Sequence, residues 1–169
     1  MNLSDKAHEA LARRIADWDK KTKNGTAQLD AQALHQELRD YIKTVLMLTR
    51  DYPAVATNPP YMGSRNMNGS LKSYTKEHYP DSKRDLFAVF MKVGEEHVQQ
   101  RGRLGMINQQ SWMFLKSYSE LRTHFLKTTT LDSTLHLGLH IFEELNTKKV
   151  QSTAFVLLFD DVKKGKGIY

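Results

Sequence analysis

Asn58-Pro59-Pro60-Tyr61 follows directly on the apolar run Ala54-Val55-Ala56. A short hydrophobic strand ends there, two prolines stiffen the turn, and a tyrosine stands beside an amide side chain. These residue types suit the gripping of a planar base. The amide oxygen and a backbone carbonyl accept hydrogen bonds from an exocyclic amino group, while the aromatic ring stacks on the base face. An Asn-Pro step is also a common turn signal, so the plainer reading is a loop that binds nothing.

Other chemistries have less to work with. The chain has no cysteine, which excludes disulfides, thiolate metal sites and cysteine nucleophiles. His78, His97, His124, His136 and His140 are dispersed rather than set at metal-ligand spacing, and no metal site is expected. Glu95-Glu96 and Glu143-Glu144 read as solvated charges rather than an acid/base pair. Methyl transfer, by contrast, asks little of side-chain acids. A sulfonium donor brings an activated methyl group, and the protein has to fix an in-line approach and exclude water. The amino group of adenine is a weak nucleophile because its lone pair is delocalised into the ring. Acceptors on the Asn58 side chain and the Pro59 carbonyl would localise that pair on nitrogen, with Tyr61 holding the ring. Carbon-5 methylation of cytosine, which proceeds through a cysteine adduct, is excluded.

The elements that must position this turn can be read from periodicity. Two amphipathic helices occupy the first fifty residues. Ser4 is expected to cap the first, with Ala7, Leu11, Ile15 and Trp18 on one face. Asp30 is expected to cap the second, with Leu34, Leu38, Tyr41, Ile42 and Val45 on its stripe. Both are packing or docking elements. A strand over 53–57 leads into the turn, and a polar loop over 62–81 follows, carrying Arg65, Lys72, Lys76 and His78. A strongly apolar helix is expected over 85–100, stopped by Arg101-Gly102, then a strand over 103–108. Ser117 and Glu120 form a capping-box signature for a helix to Lys127. Strands are expected over 131–139 and 153–159, the last pair joined without a helix and able to run antiparallel at an edge. The alternation predicts an α/β sheet of mainly parallel strands. The organisation expected is a helical segment (1–50), a catalytic segment (51–162) and a basic tail (163–169).

The chain has 169 residues, 40% hydrophobic and 26% charged, enough for a real core. No apolar run approaches the roughly 20 residues of a membrane helix. The N-terminus lacks a basic region followed by an apolar stretch, so no secretory signal and no membrane partner are expected, and a cytoplasmic setting is. A net charge of +6 and a pI near 9.4 favour polyanionic partners.

Asn58 to Tyr61 resemble the catalytic motif of amino-group DNA methyltransferases, Asp/Asn/Ser-Pro-Pro-Tyr/Phe. The stretch NPPYMGSRNMNGSLKSYTKEHYPDSKRDLFAVF, 58–90, is similar to the large adenine-specific methyltransferases of phage-exclusion (BREX) systems, the PglX type. GRLGMINQQSWMFLKSYSELRTHFL, 102–126, is similar to that family's next strand and capped helix, and IFEELNTKKVQSTAFVLLF, 141–159, to its final strand pair. The resemblance implies the C-terminal half of a Rossmann-like class I S-adenosylmethionine-dependent methyltransferase sheet, preceded by two helices. It implies methylation of N6 of a flipped adenine in double-stranded DNA, in phage defence or restriction-modification. It also implies that Phe142 stacks on the base face opposite Tyr61. Among the cations of the polar loop, Arg65 and Lys72 are the ones expected to contact backbone phosphates, although exposed loop cations are usually just solvated.

In that family S-adenosylmethionine is bound chiefly by a glycine-rich turn upstream of the motif, with acidic residues after the next two strands. The only glycine before Asn58 here is Gly25, in a lysine-rich loop. The expectation is therefore a fragment, a split-enzyme subunit or a remnant, with most of the cofactor site supplied by an upstream half or a companion chain. Two alternatives stay open. One is a catalytically inactive protein that binds DNA or docks on a partner; the other is a methyltransferase acting on RNA or on protein glutamine.

Overall fold

The computed structural model describes residues 5–23, 29–138 and 151–160. Ser4, His140, Phe142, Glu143-Glu144, the basic tail and the side chains of Asp30 and Leu34 lie outside the described residues. Two compact units divide the chain, Met1–Arg50 and Asp51–Tyr169.

The first unit is a pair of helices, α1 (Asp5–Lys23) and α2 (Leu29–Leu48). Asp30 falls inside the first turn of α2 rather than at its cap. Ile15 is buried, and Arg39 Nε pairs with Asp19 Oδ1 at 2.7 Å. His8 Nε2 lies 3.0 Å from Thr49 Oγ1. Leu38 and Tyr41, expected on the apolar stripe of α2, are exposed, as are Met47 and Leu48.

The second unit runs β1 (Tyr52–Thr57), α3 (Gly69–His78), α4 (Leu86–His97), β2 (Val98–Gln109), α5 (Ser111–Phe114), α6 (Ser119–Thr128), β3 (Thr130–Gly138) and β4 (Ser152–Leu158). The strands form one sheet in the order β1-β2-β4-β3. β1 and β2 are parallel, while β4 runs antiparallel to both β2 and β3. The fold is α/β, but the sheet is mixed rather than mainly parallel. The last two strands pair antiparallel at an edge of the sheet, as expected: β4 lies between β2 and β3, and β3 is outermost. The composition of β4 accounts for its inner place, because Phe155 and Leu157 are both buried on one face and need neighbours on both sides.

One buried face is built from cross-strand pairs. Leu104 lies opposite Leu157 and Met106 opposite Phe155. Phe87, Ala88 and Met91 of α4 and Leu121 and Phe125 of α6 pack into the same core at 0–2% exposure. Spacing of three and four residues places these side chains on single helical faces. Gly94 lets α4 lie close on β2: a Cβ there would sit 2.6 Å from Leu104 Cδ1. α4 and α6 are also joined by polar contacts, with His124 Nε2 2.7 Å from Glu95 Oε1 and 2.9 Å from Lys92 Nζ.

Several boundaries differ from expectation. α4 stops at His97, and Arg101-Gly102 lie within β2 at a register irregularity against β1, with Arg101 at φ 66°. A Cβ on Gly102 would meet Gln99 O at 2.8 Å and Pro53 O at 3.0 Å, so only glycine fits. The polar stretch after the Asn58 turn contains α3, capped by Asn68, whose side chain accepts from Leu71 N at 2.8 Å. Ser117 does not cap α6. Residues Lys116–Tyr118 tighten into a 3₁₀ turn, and α6 begins after Tyr118 with no side-chain cap. Arg122 Nη1 donates to Trp112 O at 2.7 Å and Leu115 O at 2.6 Å, holding this turn and α5 together from the helix side.

Two buried tyrosines set the alkaline limit of the unit. Burial pushes Tyr79 up to about 12, helped by the nearby Glu96 charge. Burial likewise pushes Tyr118 to about 12, with Asp85 adding and Arg84 opposing. Unfolded tyrosines release their protons near pH 10, so between pH 10 and about 12 the folded state holds more protons than the unfolded state. Stability then falls as pH rises through that window. Melting temperature should hold up to about pH 10 and drop between 10 and 12, and a Tyr79→Phe/Tyr118→Phe double variant should show a shallower drop.

Candidate active site

β1 ends at Thr57, so Asn58 begins the turn at the carboxyl end of a parallel strand. The crevice outside the carboxyl ends of parallel strands is the usual ligand position in open α/β sheets. Within the turn, the Asn58 side chain is exposed, Pro59 is buried, Pro60 is exposed and Tyr61 is half-buried. An exposed amide directly before a buried proline leaves the Asn58 side chain accessible while the chain beside it is anchored.

Tyr61 is held from two sides. Its ring meets the Phe87 ring edge-on, with centroids 6.1 Å apart at 80°. Its hydroxyl lies 3.5 Å from the Ile107 carbonyl and 3.4 Å from the Ser152 hydroxyl. Burial raises the Tyr61 pKa, the Ser152 bond opposes this, and the Asp85 charge adds to it, so the phenol is neutral. A neutral ring fixed at edge and tip presents a flat surface at low entropic cost.

The chain after Tyr61 is tied down through 84–86. Met62 N donates to Asp85 Oδ1 at 3.0 Å and Leu86 N donates to Met62 O at 3.0 Å. Gly63 and Asp85 form an antiparallel bridge, and Ser64 N donates to Arg84 O at 2.8 Å. Asp85 is also the N-cap of α4, accepting from Phe87 N at 3.3 Å. Burial raises its pKa; the amides of Phe87, Met62 and Leu86 oppose that shift.

The other expected site residues fall at different distances from this turn. Arg65 is exposed just beyond the Asp85 bridge, and Lys72 is exposed on α3. Neither makes an ion pair among the described residues. Phe142 belongs to 139–150, outside the described residues. The chain leaves β3 at Gly138 and enters β4 at Ser152, which are register partners, and Ser152 is the residue beside the Tyr61 hydroxyl. At the same rim Gln110 bonds the Gln151 side chain, and His136 Nε2 lies 2.5 Å from Gln110 Oε1.

Two residues that organise the turn were not singled out from sequence. Asp85 carried a usable signal, an acidic cap residue directly before an apolar helical run. Ser152 carried none, because a lone serine at a strand start has no local signature. Asn108 is fully buried on β2 with its Oδ1 unpartnered among the described residues. Among the described residues there is no cluster of metal-ligating side chains, and no helix long and apolar enough to cross a membrane.

The hydroxyl bonds of Tyr61 are long and the ring contact is close, so the ring should matter more than the phenol. Tyr61→Phe should change unfolding free energy by no more than about 1 kcal/mol. Tyr61→Ala should cost about 2 kcal/mol or more through lost packing on Phe87. Urea denaturation of the two variants checks the ordering.

Comparison with known proteins places the chain. The family model described as Eco57I restriction-modification methylase matches residues 2–142. The adenine-specific methyltransferase BrxX of Escherichia coli O9:H4 (strain HS) is 44% identical over 121 residues, 72% of this chain and 10% of BrxX. The adenine-specific methyltransferase PglX of Lacticaseibacillus casei (strain Zhang) is 41% identical over 133 residues, 78% of this chain and 11% of PglX. The chain thus spans about a tenth of the length of these curated relatives. In structure it is similar to a nuclease-deletion mutant of the Type ISP restriction-modification enzyme LlaGI in complex with a DNA substrate mimic. The TM-score is 0.53 at 16% identity, over 80% of this chain and 13% of that one, a likeness of fold.

Proposed function

The chain belongs to the Eco57I restriction-modification methylase family, and on that premise we propose that it carries the base-gripping part of an adenine-specific DNA methyltransferase. The observation that supports this most is the placement of Asn58-Pro59-Pro60-Tyr61 at the carboxyl end of β1, with the amide exposed and the ring fixed.

In this reading the Asn58 Oδ1 and the Pro59 carbonyl accept the two N6 protons of a flipped adenine. As the amine attacks, positive charge develops on nitrogen, and two fixed acceptors stabilise that charge more than they stabilise the neutral base. Tyr61 stacks on one face of the base and Phe142 closes the other. Arg65 and Lys72 contact backbone phosphates of double-stranded DNA, consistent with the positive net charge. The setting is cytoplasmic phage defence or restriction-modification.

The methyl donor of such a family is S-adenosylmethionine. β1 is an edge strand with no described strand paired on its outer side, and Gly25 is the only glycine before Asn58. The donor is therefore held mostly by residues outside this chain, in an upstream half or a companion chain. The same open edge favours a second reading, a protein that binds DNA or docks on a partner without transferring methyl groups.

Labelled methyl transfer by the chain combined with a polypeptide carrying the cofactor half of a relative tests the proposal. Duplex DNA should be labelled in preference to RNA or a glutamine-bearing protein. Asn58→Ala should lower the rate by about 100-fold or more without changing the melting temperature. Full activity of that variant would overturn the assignment. Duplex binding that weakens steeply with salt but gives no transfer would establish the second reading.

A further inference from the structure

Asn58-Pro59-Pro60-Tyr61 cannot fix its own backbone in the ordinary way. Pro59 and Pro60 have no N–H to donate, so the turn depends on its two flanks. The upstream flank is secured by the sheet, through the register of Thr57 with Met106. The downstream flank is secured by the Met62 N–H, which donates to Asp85 Oδ1 at 3.0 Å, and just beyond it by backbone bonds of Leu86 N to Met62 O and Ser64 N to Arg84 O. The four residues form an arch between a strand and the 84–86 segment, with Asp85 supplying its one side-chain anchor at Met62.

That carboxylate has a second duty. The same Oδ1 accepts from Phe87 N at 3.3 Å and so caps α4. Phe87 is the ring on which the Tyr61 ring abuts. One buried oxygen thereby sets the end of the arch and the first turn of the helix that carries the arch's supporting ring. The residue is 9% exposed, so water competes poorly for these bonds.

We infer that Asp85 is a positioning residue for the Asn58–Tyr61 arch, acting through the Met62 amide and the first turn of α4. Its functional meaning rests on the reading of that arch as the base-gripping motif; its structural content does not. The position needs an acceptor at Oδ1 rather than a negative charge. Asp85→Asn keeps an oxygen there and is itself a good helix cap. Asp85→Ser also caps a helix, but its hydroxyl is one bond shorter and falls away from Met62. The pair separates capping from the hold on the arch.

Amide hydrogen exchange by NMR on the full chain reads this directly. In the unaltered chain the Met62 amide should be protected. Asp85→Ser should speed its exchange by about tenfold or more and shift the Asn58 side-chain and Tyr61 resonances, while the amides of Val89 to Met91 stay protected. Asp85→Asn should restore the unaltered pattern. An unprotected Met62 amide in the unaltered chain would overturn the inference even if Asp85→Ser failed to fold. So would unchanged exchange and unchanged Asn58 and Tyr61 resonances in a folded Asp85→Ser. In the transfer assay, Asp85→Ser should lower kcat by about 100-fold with little change in KM for DNA, and Asp85→Asn should not. Failure of Asn58→Ala to lower transfer would remove the base-gripping reading while leaving the exchange result standing.

Discussion

The parallel pairing of β1 with β2 is the constraint on which the rest of the second unit depends. β1 is short, has its register partners on one side, and exposes Ala54 and Ala56. It stays in place because Gly102 lets the β2 backbone approach Pro53 and because α4 lies close over Leu104. With Thr57 level with Met106, the Asn58 turn emerges beside the end of β2 and within reach of Ser152 on β4. A side chain on Gly102 would strike backbone rather than a flexible tip, so β1 would have to move and carry the turn with it.

The turn was legible in the sequence because its signal is local. A strand of small and branched residues followed by Asn-Pro-Pro-Tyr can be read without knowing what surrounds it. So can the family, since the similarity of 58–90 and 102–126 to adenine-specific methyltransferases is borne out by BrxX and PglX. What escaped was set by distant contacts. The order β1-β2-β4-β3 places the last strand inside the sheet, a choice governed by the burial of Phe155 and Leu157 rather than by the link between β3 and β4. Ser117 and Glu120 match a capping box, yet Tyr118 is buried and Arg122 takes the nearby carbonyls, so the chain tightens into a 3₁₀ turn instead. α3 was missed because its sequence is polar and its buried anchor is a single threonine, Thr75.

Rigidity and exposure are divided within the site. Pro59 is buried and Tyr61 is clamped at ring edge and hydroxyl, while the Asn58 amide faces outward. Such a division suits a group that must meet an incoming base with little reorganisation, since the ordering cost is borne by the fold before binding. The rim around it is polar and hydrogen-bonded, through Gln110, Gln151 and His136. Under the proposed reading, an arriving base would meet rim donors and acceptors already engaged with one another, and the exposed Asn58 amide.

Asp85 explains why a half-sheet can hold such a site at all. Its charge lies at the N-terminus of α4, where the exposed amides and the helix dipole favour an anion. Burial works against that charge, and the amides of Phe87, Met62 and Leu86 work for it. The residue therefore needs the turn and the helix as much as they need it. The geometry of the Asn58–Tyr61 arch is set locally, by one parallel register, by the Asp85 carboxylate and by the backbone bonds of 62–64 with 84–86.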